Sequence, residues 1–598
     1  MTVEHQSSTL ALFCHSIVVP LSKNDRAKVP ARSMAGRTGV PLGAHAVAPE
    51  LCRALIDHSD SSEILLVGCR NSHLDPPTEH WDSMLRKGAA SDRTHICTLR
   101  QLAPTSTSRV VWFEPAGLAP WYHDLRHLHE TTFPITFVHH TISYRRQLVD
   151  TFVPLLLSST LPCDSLICTS NASKKALENI FEYLSDAVQS PACRYNGRLC
   201  VIPFGIDINR FKPVDSTQCR IIFNLPRQRP VLLYFGRISV SDKADLSPLL
   251  LAFREAVSRM TPEKPLLVIA GNARGNELDT LHDLVRHLDL KESVRFLHHI
   301  SHAEKPYLYC AADVFVSPVD SVQECFGLSV LEAMACGVPQ IVSDWSGYRE
   351  TVVDGKTGFL IPTYWAPCDA PIIKESTDFG PILQDHFELG QSVCVDVAAL
   401  ADRIVDLLLN KDLRRSMARE SRERACRNYD WKVVISMYDE LWSELRNIAH
   451  AMVAGRGARS SISVPAYHRT FKHFASMTVG EAWRVAPGPK QGTSNSQFWP
   501  RTSFLNLDPM SLLTLAESFF QTKSETRVAD LLELFPAPER DEVMRTIMFL
   551  AKHGYVVLQS PRLSEPVAQA SKISASAELD QPLGFQEDNR FRPVVGNH

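Results

Sequence analysis

The sequence predicts an α/β protein, with two doubly wound parallel-sheet domains facing a cleft and a small, mostly helical unit after them. Three observations lead there. The 598 residues exceed what one hydrophobic core supports, so two to four domains are expected. Short runs that are apolar on both faces alternate with helical patterns twice in succession, as parallel sheets covered by helices require. After about residue 455 the composition turns to Ser, Gly and Pro, and ordered patterning returns only near residue 500.

The first α/β unit is read over residues 1–212. Its strand material is Leu10–Phe13, Ile17–Pro20, Glu63–Gly68, Val110–Phe113, Ile135–His139 and Leu166–Thr169. A helical pattern lies within Ala44–Asp57, where Pro49 suits a first turn better than an interior. The segment Val201–Asp207 ends a strand in a turn. The second unit covers 213–447, with strands Val231–Phe235, Leu266–Ala270, Val294–Leu297, Val314–Ser317 and Gln340–Ser343. Helices are expected at Pro248–Met260, Glu277–Leu288, Leu328–Ala335 and Val397–Leu409. Tyr364–Gln391 lacks periodicity, carries three prolines and reads as an inserted loop. Such alternation places ligands at the carboxyl ends of the strands, and two units in series create a cleft.

Residues 448–499 read as a linker. In 500–560 the pattern is a strand at Phe504–Leu507, a helix Pro509–Gln521 behind a capping Asp508, helices near Arg527–Phe535 and Glu539–His553, and a strand Tyr555–Leu558. The tail 561–598 is polar and reads as disordered.

Sixty-three basic against 66 acidic side chains give a net charge of -3, which offers no global field for nucleic acid or anionic lipid. The 15 cysteines form no C-x-x-C pair, and no zinc-like His/Cys cluster occurs, so no metal is expected. No secretory leader is legible, and the apolar run Val153–Leu161 is well short of the ~20 residues a membrane span needs. The expectation is a reducing, cytoplasmic setting with at most peripheral membrane contact.

The strongest local signal is Glu324-Cys325-Phe326-Gly327-Leu328-Ser329-Val330-Leu331-Glu332. It puts one carboxylate at the mouth of a helix and another inside it. A helix N-terminus offers free N–H groups and a positive dipole end, and a nearby carboxylate can accept hydrogen bonds from sugar hydroxyls. Two glutamates at this spacing are by themselves common on solvated helices. The context is more specific. The run D-S-V-Q-E-C-F-G-L-S-V-L-E-A-M-A-C-G-V-P-Q-I-V-S-D, then G-Y-R-E-T-V-V-D-G-K-T-G-F-L-I-P, resembles the donor-binding core of the retaining family 4 glycosyltransferases of GT-B fold. V-I-P-F-G-I-D at 201–207, Y-F-G-R-I-S at 234–239, L-V-I-A-G at 267–271, V-R-F-L at 294–297 and N-Y-D-W at 428–431 extend the likeness.

The resemblance implies two Rossmann-like domains and a role for each matching residue. Glu324 would bind hydroxyls of the donor sugar, and Glu332 the ribose. The N–H groups of Phe326, Gly327 and Leu328 would approach sugar and phosphates. Arg237 and Lys243 would clamp the diphosphate, doing what a divalent ion does elsewhere. Lys243 lies six residues beyond Arg237, where the family places its lysine five beyond. In the first domain, Phe137–Ile142 resembles the strand end bearing a donor-contacting histidine; alignment selects His140, with His139 the alternative. Gly39–Gly43 resembles the family's Gly-rich first turn, with Gly43 toward the phosphate.

The implied activity is retaining transfer of a hexosyl-type unit from a nucleotide sugar. UDP is the expected nucleotide, GDP and ADP the alternatives, and no further cofactor is required. The acceptor is open among small molecule, polysaccharide, lipid and peptide. The competing reading is a catalytically inactive sugar-nucleotide-binding scaffold, or a peptide-binding protein that uses the last unit. That unit resembles a winged helix, and more narrowly the small peptide-recognition domains of modified-peptide biosynthesis and pyrroloquinoline quinone assembly. Residues 501–560 hold six Lys/Arg and eight Asp/Glu, a poor footprint for DNA, so a peptide, a protein partner or the chain's own surface is the expected contact there, with a purely structural appendage the equal alternative.

Overall fold

The computed structural model describes residues 8–13, 43–68, 91–98, 110–114, 123, 126, 132–139, 141–144, 147–157, 160–189, 193–241, 243–260, 264–273, 277–368, 383–452, 472–489 and 507–561. The chain divides into two compact units, Met1–Pro465 and Ala466–His598.

The first unit contains two parallel sheets. One is seven-stranded, in the order β3-β2-β1-β4-β5-β6-β7. Its strands are β1 Thr9–Phe13, β2 Glu63–Gly68, β3 Thr94–Thr98, β4 Val110–Glu114, β5 Ile135–His139, β6 Ser165–Cys168 and β7 Arg198–Val201. The other is six-stranded, in the order β10-β9-β8-β11-β12-β13. It comprises β8 Val231–Phe235, β9 Leu266–Ala270, β10 Val294–Leu297, β11 Val314–Ser317, β12 Gln340–Ser343 and β13 Gly358–Ile361. Strands β5, β6, β9, β11 and β12 are buried at every position, which explains their near-continuous apolar sequences. Both sheets reverse their order beside their first strand, the arrangement of a doubly wound fold.

The helix Trp431–Ala451 ties the two sheets together. Asp430 caps it, and its buried side chains Trp431, Val434, Ile435, Tyr438, Leu441, Trp442, Leu445 and Ala449 form one apolar stripe at helical spacing. Trp442 meets Phe113 of β4 edge-on at 5.3 Å and donates its indole N–H to Thr136 Oγ1 of β5 at 3.2 Å. Asp439 accepts from Ser59 Oγ at 2.7 Å and the Asp60 amide at 2.9 Å. The N-Y-D-W motif therefore closes the second domain and sends its last helix back to the first sheet.

Several elements depart from the sequence reading. The first helix is Gly43–His58, so Pro49 sits in its interior rather than its first turn. Strand β3 and the edge strand β13 were not anticipated as strands. The stretch read as an inserted loop contains ordered structure. β14 Thr363–Trp365 pairs antiparallel with β15 Val393–Val395, and a helix Leu383–Gln391 lies between them. Ile17–Pro20 lies outside the described residues.

The second unit has its own core around Val485, Leu512, Leu513, Val528, Leu531, Val543, Ile547 and Leu550. Three helices, Pro509–Phe520, Val528–Leu532 and Arg540–Lys552, accompany an antiparallel sheet in the order β17-β16-β18. Its strands are β16 Arg484–Pro487, β17 Thr526–Arg527 and β18 Val556–Gln559. Asp508 caps the first helix by accepting from the Ser511 amide at 2.9 Å, as its position before Pro509 suggested. The central strand β16 falls within 448–499, the stretch read as linker, and the helix Trp431–Ala451 also runs into that stretch. Leu507 forms a bend; the rest of the expected strand 504–507, and the tail beyond Pro561, lie outside the described residues.

Candidate donor-binding site

In doubly wound sheets ligands bind beyond the carboxyl ends of the strands where the order reverses. In the second sheet that point lies between β8 and β11. The residues that leave β8 are Gly236 and Arg237; those beyond β11 run to Glu324 and Gly327. Two stretches chosen for their chemistry thus share one edge of the sheet.

Lys243 and Glu324 meet there as a partly buried ion pair. The six-residue offset from Arg237 is absorbed in a turn, in which the Lys243 and Ala244 amides both donate to Ser239 O, at 3.1 and 3.0 Å. Tyr234, buried in β8, donates its hydroxyl to Arg237 O at 2.9 Å and fixes the start of this loop. Burial pushes the Glu324 carboxyl up. The Lys243 ammonium and its hydrogen bond, the Phe326 amide and Arg237 outweigh that and hold it below the usual carboxylate range. Glu324 is therefore an anion at neutral pH. The Phe326 amide is engaged by Glu324 Oε1 at 3.3 Å, rather than presented outward. The Phe326 ring is buried against Phe204 at 5.6 Å.

Gly327 opens the helix Leu328–Ala335 with φ of +96°, and a Cβ there would lie 2.1 Å from the Tyr348 ring. Both facts require glycine. Tyr348 is fully buried and shares a 2.9 Å hydrogen bond with Ser317 at the end of β11. Gly347 is needed for contact alone, since a Cβ would sit 2.3 Å from Cys325 O. The helix mouth is thus set by packing from beneath, with Leu328 as its first residue.

One helical turn and more beyond, Glu332 is held by two residues that the sequence reading missed. Lys305 Nζ lies 3.0 Å from Oε1 and Tyr309 donates its hydroxyl to Oε2 at 2.7 Å. Lys305 also sits over the Phe235 ring at the end of β8, at 5.3 Å. Their signal in the sequence is an i,i+4 pair on a short helix, which is too common to stand out.

The first domain reaches this edge at several points. Ser170 donates its hydroxyl to Cys325 O at 2.7 Å. Glu350 takes the amides of Asn171 and Ala172 at 2.9 and 3.0 Å, at the start of the helix Asn171–Val188. Arg210 pairs with Glu50 at 2.9 Å and donates to His302 O at 2.6 Å. Gly43 is the first residue of the helix that carries Glu50. His139 is buried and packs edge-on to Phe152 at 5.2 Å, inside the first domain's core. His140 lies outside the described residues. Arg237, Lys243, Glu324, Phe326, Gly327, Leu328 and Glu332 are brought to one edge.

Residues 215–370, which carry β8 to β13 and the helices between them, match the family described as Glycosyl transferases group 1. The chain is 35% identical over 202 residues to D-inositol 3-phosphate glycosyltransferase 2 of Catenulispora acidiphila, a stretch that covers 32% of this chain and 46% of that protein. It is 26% identical over 307 residues to D-inositol 3-phosphate glycosyltransferase of Saccharomonospora viridis, covering 50% and 59%. The chain spans about half the length of these relatives. Among solved structures, Anabaena Alr3699/HepE in complex with UDP and glucose aligns over 73% of this chain and all of that one, with 18% identity and a TM-score of 0.46. Among the described residues no helix is long and apolar enough to cross a membrane.

Proposed function

We propose that this chain transfers a glycosyl unit from a nucleotide diphosphate sugar, UDP-linked, with retention of anomeric configuration. The observation that carries the reading is the meeting of Lys243 and Glu324 beside Arg237 and the glycine-opened helix, at the point where the strand order reverses.

Arg237 and Lys243 neutralise the diphosphate as the glycosidic bond breaks, and the helix that opens after Gly327 adds its positive dipole end. Glu324, held as an anion, accepts hydrogen bonds from donor-sugar hydroxyls. Binding the donor draws Lys243 from Glu324 toward phosphate, so the pair pre-orients both groups. Glu332, steadied by Lys305 and Tyr309, accepts from the ribose hydroxyls. In the first domain, the family resemblance assigns His140 to the sugar and Gly43 to the phosphate. The leaving phosphate takes the acceptor's proton on the same face as the departing bond, which preserves the anomeric configuration. The unit beyond residue 465 serves, on the winged-helix likeness, as a contact for a peptide or protein partner.

Calorimetry with UDP and a hydrolysis assay with UDP-sugars test the reading, and proton NMR of the first product assigns the anomer. Arg237→Ala is expected to lower turnover by ~10²-fold with folding intact. Glu332→Ala is expected mainly to weaken UDP. An inverted anomer, or no affinity for any of UDP, GDP and ADP, overturns it.

A further inference from the structure

β14 and β15 pair directly, Trp365 opposite Val393, yet residues 366–392 intervene. The region matched to the group 1 family ends at residue 370, inside that insertion. The insertion contains the helix Leu383–Gln391, which touches opposite sides of the cleft.

At one end, His386 is 1% exposed. Its Nε2 lies 3.2 Å from Ser143 O, a contact that makes Nε2 the donor, and its ring lies 4.4 Å from that of Tyr144. Ser143 in turn donates its hydroxyl to Gln323 Oε1 at 2.6 Å, one residue before Glu324. At the other end, Gln391 Nε2 donates to Asp245 Oδ2 at 3.3 Å, two residues after Lys243. Gly390 lies against Val240 O of the same loop, which a Cβ would approach to 3.6 Å. One short helix therefore bridges the segment that leaves β5 and the loop that leaves β8. Segment 141–144 forms no helix or strand, so its position depends on side-chain ties such as these. A buried imidazole is costly unless hydrogen-bonded, and the Nε2 of this one is bonded to a loop carbonyl of the other domain.

We propose that His386 is a positioning residue: it holds segment 141–144 at a fixed place against the Glu324 and Lys243 loops. Its effect on turnover rests on the glycosyl-transfer reading; the tie itself does not. The test compares His386→Phe, which keeps the ring contact with Tyr144 but loses the donor, with His386→Gln, which keeps a donor. Losing one hydrogen bond of ordinary strength predicts about fivefold to tenfold faster amide exchange at 141–144 in His386→Phe. UDP-glucose hydrolysis should fall by about the same factor through kcat, with the UDP Kd unchanged, and His386→Gln should recover both. Unchanged protection at 141–144 in folded His386→Phe, a parallel loss of UDP affinity, or no recovery in His386→Gln overturns the proposal. If His386→Phe does not fold, His386→Met, which also lacks a donor, takes its place in the same exchange measurement at 141–144. If the unaltered protein hydrolyses no UDP-sugar, the functional reading fails, while the exchange measurements still decide the positioning claim.

Discussion

Lys243 and Glu324, 81 residues apart in sequence, form a partly buried ion pair that joins the loop leaving β8 to the mouth of the helix that begins after Gly327. The pair neutralises two charges that would otherwise be costly to hold in so enclosed a place. It also helps to hold the Glu324 carboxyl below the usual carboxylate range. Lys243→Met should cost at least ~10²-fold in turnover through lost phosphate neutralisation. The variant leaves burial as the main influence on Glu324, so the carboxyl should titrate at higher pH. Because the anion is the form that accepts from sugar hydroxyls, the acid limb of the residual hydrolysis profile should move upward. An acid limb at the same pH in both proteins would separate Glu324 from the sugar contact.

Gly327→Ala tests whether the helix mouth is shaped by packing. The left-handed backbone costs an alanine roughly 1–2 kcal/mol, and the 2.1 Å approach to Tyr348 forces a further shift. We expect a lowered Tm and UDP affinity reduced at least tenfold. Tyr348→Phe should be much milder, because it keeps the ring and loses the hydroxyl's bond to Ser317. Normal UDP affinity in Gly327→Ala would show that the mouth tolerates a side chain.

Much of this site was legible because its residues stand where strands end, and strand ends follow from apolar periodicity. The helix Leu328–Ala335, with Glu332 inside it and Glu324 before it, was placed by that logic. Lys243 was harder, since a six-residue spacing fits only if the loop turns as the Ser239 carbonyl makes it turn. The partners of Glu332 were not legible, because Lys305 and Tyr309 acquire meaning only once β8, β11 and their helices are packed. The tie between His386 and Ser143 spans 243 residues, and the prolines around it concealed a nine-residue helix. β16 was hidden for the same reason: its partners β17 and β18 lie about 40 and 70 residues later, and Pro487 closes it.

Asp320 gives a pH signature in stability. It is 3% exposed, and burial, reinforced by Asp245, pushes its carboxyl up to about 8 against the pull of backbone hydrogen bonds. Between the ordinary carboxylate range and pH 8 the folded chain keeps this proton while the unfolded chain loses it. The unfolded state then binds fewer protons, so this group's contribution to stability falls as pH rises through that window and levels off above it. Asp320→Asn removes the ionisation. Its Tm relative to the unaltered protein should therefore climb from pH 5 to pH 8.5, by several degrees. A difference that stays flat with pH would mean that Asp320 is ionised in the fold.

Removal of everything after Pro465 should leave UDP binding intact. Every residue placed at the donor site precedes 363, and the division of the chain falls at 465/466. The core of the second unit is built from its own residues, from Trp483 to Leu558, and includes β16. A cut made nearer residue 500 would strip β16 from between β17 and β18 and expose that core, so the boundary matters. The fragment 466–561 should fold alone and unfold cooperatively. The fragment 1–465 should bind UDP within about twofold of the full chain and hydrolyse UDP-glucose at a similar rate. Acceptor use can differ between the two, because a peptide or protein held by residues 466–561 would be lost with them. Loss of UDP affinity in a folded 1–465 fragment would mean that the second unit completes the donor site, contrary to the division of labour proposed here.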